Sequence, residues 1–248
     1  MNKIKKMMAV FMVATMTMAL FIGCGSKGNK LTMATNASFP PYEYVEGDAY
    51  AGIDVEIATA IAEKLGMELE IADVDFGSII AGVEQGKFDF GMAGMTVTDE
   101  RKQSVNFSNT YATAVQSIVV PEGSTILSAD DLSSDIKIGV QQDTTGDIYA
   151  SEDYGEDAIV RFKTGNDAIQ ALATGKVEAV IIDNEPAKSY VAANTGLVIL
   201  DSAYAEEEYA ICIAKGNEEL LNKINAALDE LKKDGTIDDI INKYIPAE

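Results

Sequence analysis

The chain has 248 residues, 47% of them hydrophobic, with a formal net charge of −21 and no histidine. That length permits a sizeable core and more than one typical domain. So acidic a surface repels nucleic acid and anionic lipid, and the lack of histidine excludes histidine-dependent triads and histidine metal sites.

Residues 1–23 read as a signal peptide. Lys3, Lys5 and Lys6 form a basic start, and residues 7–22 are apolar and uncharged, short for a membrane span and secretory in their flanks. Gly23 precedes Cys24, and Leu20-Phe-Ile-Gly-Cys24 resembles a bacterial lipoprotein cleavage site, with Phe21 in place of the usual Leu. A Cys24 carrying several acyl chains such as palmitate would hold the chain firmly on the membrane, with residues 24–29 as the tether. No later run is long enough to span a bilayer, so this tether is the expected link to it. The other cysteine, Cys212, then has no disulfide partner and is expected to be a small core residue.

Beyond the tether, strands and helices alternate. Residues 31–35 predict a strand. Residues 54–65 predict a helix, with Asp54 as its N-cap, Ile57, Ile61 and Leu65 as its apolar stripe and Gly66 as its stop. A strand at 67–74 and a helix at 78–85 follow. Further strands are expected at 137–140, 159–162 and 178–183, with helices at 145–151 and 166–173 between them. A long amphipathic helix at 217–233 ends at Gly235. This alternation predicts parallel-rich sheets covered by helices.

The segment Ala93-Gly-Met-Thr-Val-Thr-Asp-Glu-Arg101 follows an apolar strand-like run and carries the most chemistry. It offers a glycine carbonyl, a threonine hydroxyl, free backbone N–H groups and an arginine. Together these match an α-amino acid: a guanidinium fork for the carboxylate and acceptors for the ammonium. The stretch beginning at Ile79 also aligns with that beginning at Ile169. Both read as helix, Gly-Lys turn and apolar strand with one acid, and the register sets Gly94 opposite Asp183. Open α/β sheets bind ligands at such strand ends. Breaks in character near 110–113 and 205–208 suggest an interrupted lobe of residues 30–112 and 209–248, with 113–208 as the second lobe.

Four motifs now stand in order: Phe39-Pro-Pro-Tyr-Glu-Tyr44, Gly52-Ile-Asp-Val-Glu-Ile-Ala-Thr-Ala-Ile-Ala-Glu-Lys-Leu65, the 93–101 segment with Phe107-Ser108, and Ala179-Val-Ile-Ile-Asp183. In these the chain resembles the bacterial extracellular solute-binding proteins of polar amino-acid ABC transporters, family 3, over essentially all of residues 31–245. The resemblance implies a two-lobed α/β fold of the type II periplasmic-binding-protein kind. Each lobe would be a mixed, largely parallel sheet flanked by helices, and two hinge strands would join them. It also implies an extracytoplasmic, membrane-anchored monomer that needs no cofactor or metal, binds one free L-amino acid and delivers it to an ABC permease.

Carried over position by position, the resemblance pairs Arg101 with the ligand carboxylate, aided by the backbone N–H groups of Thr96 and Thr145. The ammonium would meet the Gly94 carbonyl, the Thr96 hydroxyl and the Asp183 carboxylate. Phe39 and Phe76 would sandwich the side chain, and Asn36, Met95 and Gln141 would face its far end. Each has a plainer role available: a surface arginine, an Asp183 cap on the next helix, core aromatics. Asp54 is expected as a cap, Tyr42 and Tyr44 as packing, and Glu206-Glu-Glu208 as a solvated hinge surface.

Asn36 stands where relatives commonly place an acid, which removes the partner for a cationic ligand. Asn36 and Gln141 suit an amide or hydroxyl side chain, so a neutral polar ligand such as glutamine or cystine is favoured. Asp143, where relatives often have glycine, could instead face a basic ligand. Two other function classes remain. An enzyme of this fold, dehydratase-like toward cyclohexadienyl or arogenate substrates, would need a general acid or base near the reacting carbon. Glu185 is its candidate, on the first turn of a helix where a carboxylate is favourable anyway. A ligand-sensing partner of a membrane receptor is the third class.

Overall fold

Two mixed sheets, each covered by helices, make up the molecule in the computed structural model, which describes residues 29–201 and 203–246. The signal segment and Cys24 lie outside the described residues. Among those described, no helix is long and apolar enough to cross a membrane.

The first sheet runs Glu68–Asp73, Lys30–Thr35, Phe90–Gly91, Cys212–Ala214, Val105–Phe107. The first three strands are parallel, and Cys212–Ala214 is antiparallel to both its neighbours. Helix Ile53–Lys64 packs Ile53, Ile57 and Ile61 on this sheet, each fully buried. A three-stranded antiparallel meander, Ser38–Phe39, Glu43–Glu46 and Ala49–Ala51, joins strand to helix. In the second sheet Ile159–Phe162, Ile138–Gln141 and Ala179–Asp183 are parallel. The long strand Ala112–Pro121 pairs antiparallel with Ala179–Asp183, Leu197–Ile199 and Ala205–Tyr209.

The chain passes between sheets twice, at 108–111 and at 210–211. The two passages lie side by side: Tyr111 N donates to Tyr209 O at 2.9 Å and Ser108 N to Ile211 O at 2.9 Å. The result is an α/β fold of two lobes, each a mixed sheet flanked by helices, joined by two crossing strands.

The internal similarity has a hydrogen-bond counterpart. Helix Ile79–Glu84 ends at Gly86 (φ 68°) and helix Gly165–Ala173 ends near Gly175 (φ 71°). Both glycines adopt the left-handed conformation that a side chain disfavours. Gly86 N reaches Val83 O and Lys87 N reaches Gly82 O; Gly175 N reaches Leu172 O and Lys176 N reaches Ala171 O. Both turns thus satisfy the last carbonyls by one motif. The acid that follows accepts from the neighbouring parallel strand or its entrance: Asp89 from Thr32 N, within Lys30–Thr35, at 2.8 Å, and Glu178 from Lys137 N, just before Ile138–Gln141, at 2.9 Å. Each unit then delivers its strand end, near Gly94 in one lobe and at Asp183 in the other, to the gap between the sheets.

Helix boundaries differ from expectation in two informative places. Asp54 is not a cap: Gly52 holds that position, and Asp54 points inward and is fully buried. Gly235 ends helix Glu218–Lys233 but also opens a further amphipathic helix, Thr236–Tyr244, which packs Ile237 and Ile240 inward.

Candidate functional site

The carboxyl ends of both sheets converge on an enclosed pocket. Asn36, Phe39, Phe76, Gly94, Thr96 and Arg101 wall it from the first lobe, and Gln141, Thr145 and Asp183 from the second. Met95 is the exception among the expected residues. It is fully buried against Ala93, Val105 and Cys212 and borders only the outer crevice, while its neighbours Gly94 and Thr96 take the pocket face.

Arg101 opens the short helix Arg101–Ser104 and is only 8% exposed. Its Nη1 donates to Thr96 O at 2.7 Å and its Nη2 to Asp143 O, in the opposite lobe, at 3.0 Å. The guanidinium lies over the Phe76 ring, 5.2 Å from the centroid. Burial pushes its pKa down, opposed by Glu207, but a guanidinium stays charged at physiological pH. Asp143 is exposed and has φ 65°, a conformation that favours glycine; its carboxylate lies against the bare Cα of Gly77.

Gly94 has φ 52°, and a Cβ there would stand 3.0 Å from the Phe39 ring. Its N–H donates to Asp54 Oδ2 at 2.8 Å, and the same oxygen accepts the Tyr111 hydroxyl at 2.9 Å. Thr96 sits opposite Tyr209 in an antiparallel bridge whose hydrogen bonds are made by the flanking residues: Ala210 N to Met95 O and Val97 N to Glu208 O. The N–H of Thr96 therefore faces away from that ladder. The Thr96 hydroxyl donates to Glu207 Oε2 at 3.0 Å.

From the second lobe, Asp183 occupies the N-cap of helix Asn184–Ala193 but makes no capping bond with its side chain. Its oxygens instead accept Gln116 Nε2 at 2.8 Å and the Tyr209 hydroxyl. Burial, then the neighbouring Glu207, push its pKa up to about 7 against these two donors. Thr145 is the first residue of helix Thr145–Tyr154, whose cap is Thr144; a helix start favours an anion.

At the far end the two amides bond across the gap. Asn36 Nδ2 donates to Val74 O at 2.9 Å, which fixes its orientation, and Gln141 Nε2 donates to Asn36 Oδ1 at 3.0 Å. Each amide nitrogen gives one hydrogen bond there and keeps a second N–H, while Gln141 Oε1 is buried without a partner. Phe39 is buried and stacks on Tyr42, ring centroids 6.2 Å apart.

Sequence reasoning missed the site's buried acids. Glu43 is 1% exposed, lines the pocket and lies against Asp54. Burial and then Asp54 push the Glu43 pKa well up. Burial pushes Asp54 up to about 6, opposed by Gly94 N–H, the Tyr111 hydroxyl and Glu43. Glu43 Oε2 and Asp54 Oδ1 otherwise lack partners, so a proton held between these carboxyls satisfies both. The available signal was an acid inside the aromatic run Phe39-Pro-Pro-Tyr-Glu43-Tyr. Glu207 is the second omission. Strand alternation sends Glu206 and Glu208 to solvent and turns Glu207, 6% exposed, inward; it is no solvated surface. Glu185 pairs with Lys188 at 2.7 Å and is not among the residues lining the inner pocket.

This geometry has known counterparts. Residues 31–247 match the family model of the bacterial extracellular solute-binding proteins, family 3. The arginine-binding extracellular protein ArtP of Bacillus subtilis (strain 168) is 34% identical, over 98% of this chain and 99% of its own length. An ancestral arginine-binding protein solved with arginine bound is 40% identical with a TM-score of 0.83, covering 88% of this chain and 98% of its own. An ancestral arginine-binding protein solved with glutamine bound is 38% identical with a TM-score of 0.81, covering 88% and 99%. The chain belongs to the bacterial extracellular solute-binding proteins, family 3, and is a binding protein rather than an enzyme.

Proposed function

We propose that this protein captures one free L-amino acid between its lobes and hands it to the permease of an ABC importer. The observation that carries this is a buried guanidinium, Arg101, and a buried carboxyl, Asp183, brought by different lobes to one pocket. A zwitterion is the solute that such a pair complements. Arg101 and the N–H groups of Thr96 and Thr145 take the carboxylate; the Gly94 carbonyl, the Thr96 hydroxyl and Asp183 take the ammonium. Phe39 and Phe76 flank the side chain. The lobes divide as 30–112 with 209–248 and 113–208, and they close on ligand by bending at the crossings. A signal peptide of residues 1–23 and a lipidated Cys24 with tether 24–29 hold the monomer on the outer face of the cell membrane.

The uncharged Asn36 and Gln141 favour a neutral polar side chain, glutamine or cystine. Their bonding narrows the choice. Each amide keeps one N–H and Gln141 Oε1 is unpartnered, so the far end both donates and accepts, which suits a side-chain amide. Glutamine meets this through its amide. A cationic side chain is the second reading. The charge balance of the site favours it, since Glu43 and Asp183 line the pocket, with Asp54 behind Gly94 and Glu207 behind Thr96, against one buried guanidinium, Arg101, and so do the relatives named for arginine. A thermal-shift and calorimetric panel of glutamine, glutamate, arginine and citrulline tests both. A ligand at about a hundredfold its Kd stabilises by ~2.7 kcal/mol. Glutamate is expected to fail. Arginine above citrulline selects the cationic reading, since the two differ in charge and hardly in shape. No response to any amino acid overturns the function.

A further inference from the structure

Glu207 has no part in the ligand contacts assigned above, yet the site is built around it. It lies on the second-sheet strand Ala205–Tyr209, just before the crossing at 210–211, with its side chain turned inward. Its Oε2 accepts the Thr96 hydroxyl at 3.0 Å and Gln116 Nε2 at 3.0 Å. Gln116 passes the connection on to Asp183 Oδ2 at 2.8 Å, and the Tyr209 hydroxyl closes it on the other Asp183 oxygen. Thr96 belongs to the first lobe, Gln116, Asp183 and Glu207 to the second, and Tyr209 ends the strand that leads into the crossing.

A carboxylate can only accept. The hydrogen of the Thr96 hydroxyl must therefore point at Glu207, and the lone pairs of that oxygen are left for another donor. Without such an acceptor the hydroxyl would rotate freely. It could then donate elsewhere, for instance to Thr145 Oγ1, 3.5 Å away. A hydroxyl that presents hydrogen to an ammonium repels it; one locked as an acceptor binds it. The Gln116 amide is held in the same way, its donors directed at two carboxylates and away from the cation.

We propose that Glu207 is a positioning residue for the ligand ammonium: it fixes the Thr96 hydroxyl as an acceptor and ties that group to Asp183 through Gln116. This rests on the amino-acid-binding function above. It adds to that function a residue that touches no ligand atom and governs how one end of the ligand is read.

The test is a calorimetric double-mutant cycle on the full chain with Glu207→Leu, which removes the acceptor (a glutamine would keep one in its amide oxygen), Thr96→Val and the pair. Wild-type protein is first titrated with L-arginine and L-glutamine, and the tighter of the two becomes the probe. Its 2-hydroxy analogue, which has a hydroxyl in place of the ammonium, is the second probe. Glu207→Leu is expected to weaken the amino acid about tenfold or more and the 2-hydroxy analogue less than threefold. The double variant should lose no more than the worse single one, because both remove one oriented oxygen. Losses that multiply, equal losses for the two probes, or a Glu207→Leu affinity within twofold of wild type overturn the proposal. Unliganded melting temperatures identify a variant that merely unfolds; if Glu207→Leu does, Glu207→Asp, which keeps the charge and the acceptor, must restore selectivity for the ammonium or the proposal fails. Failure of wild type to bind either amino acid is a separate result, which removes the function itself and this proposal with it.

Discussion

Ligand affinity should fall steeply on acidification, and Asp183 sets where. Its pKa is pushed up to about 7 by burial and by Glu207, whereas an exposed aspartate titrates near 4. An arriving ammonium pairs with the ionised form, so a protonated Asp183 must first release its proton. The sign follows: above about pH 7 the carboxylate is ready and affinity is level; below it, each pH unit costs about 1.4 kcal/mol, or tenfold. Two pH units below that point the loss approaches a hundredfold. Near pH 7, binding should eject about half a proton per site, a quantity read by calorimetry in buffers of different ionisation enthalpy. The unliganded fold should show the opposite trend. A carboxyl whose folded pKa lies above its unfolded value binds more protons when folded between roughly pH 4 and 7, so its contribution to stability declines as pH rises through that window. Asp183→Asn supplies the control, with weak affinity that hardly varies with pH. Wild-type affinity that stays flat from about pH 5 to 8, with no proton released, would refute the assignment of Asp183 to the ammonium.

Two further substitutions probe the remaining contacts. Arg101→Ala removes the donors to Thr96 O and Asp143 O and leaves a buried ligand carboxylate unpaired. The expected loss is ~2–5 kcal/mol, about thirtyfold to several-thousandfold in Kd by calorimetry, and a change below threefold contradicts the carboxylate site. Gly94→Ala places a Cβ at φ 52° and 3.0 Å from the Phe39 ring; the backbone term alone costs ~1–2 kcal/mol, and the shifted ring narrows the pocket. Both the unliganded melting temperature and the affinity should drop, and a variant equal to wild type in both would show that neither constraint operates.

Much of the frame was legible because its physics is local. The Ile57, Ile61 stripe, the Gly-Lys turns and the apolar strands each depend on a few neighbouring residues, and each appears within a residue or two of its expected place. Asn36, Phe39, Phe76, Gly94, Thr96, Arg101, Gln141, Thr145 and Asp183 do surround one pocket. What escaped were the buried acids around the pocket other than Asp183. Glu43, Asp54 and Glu207 are residue types that sequence reasoning assigns to water or to helix caps. Their burial is decided by partners far along the chain, such as Tyr111 for Asp54 and Thr96 and Gln116 for Glu207. For Glu207, strand alternation across Ala205–Tyr209 was the local cue, and a run of three glutamates concealed it.

The side-by-side passages at 108–111 and 210–211 also limit how the molecule can move. Two ribbons cross-linked by Tyr111 N to Tyr209 O and Ser108 N to Ile211 O bend readily in one plane and resist twisting or sliding past each other. The lobes can therefore part only as a door does, swinging about a single jamb, with the mouth on the side away from it. Glu207 and Tyr209 ride on that jamb, so any swing of the door also turns the groups that hold Thr96 and Asp183.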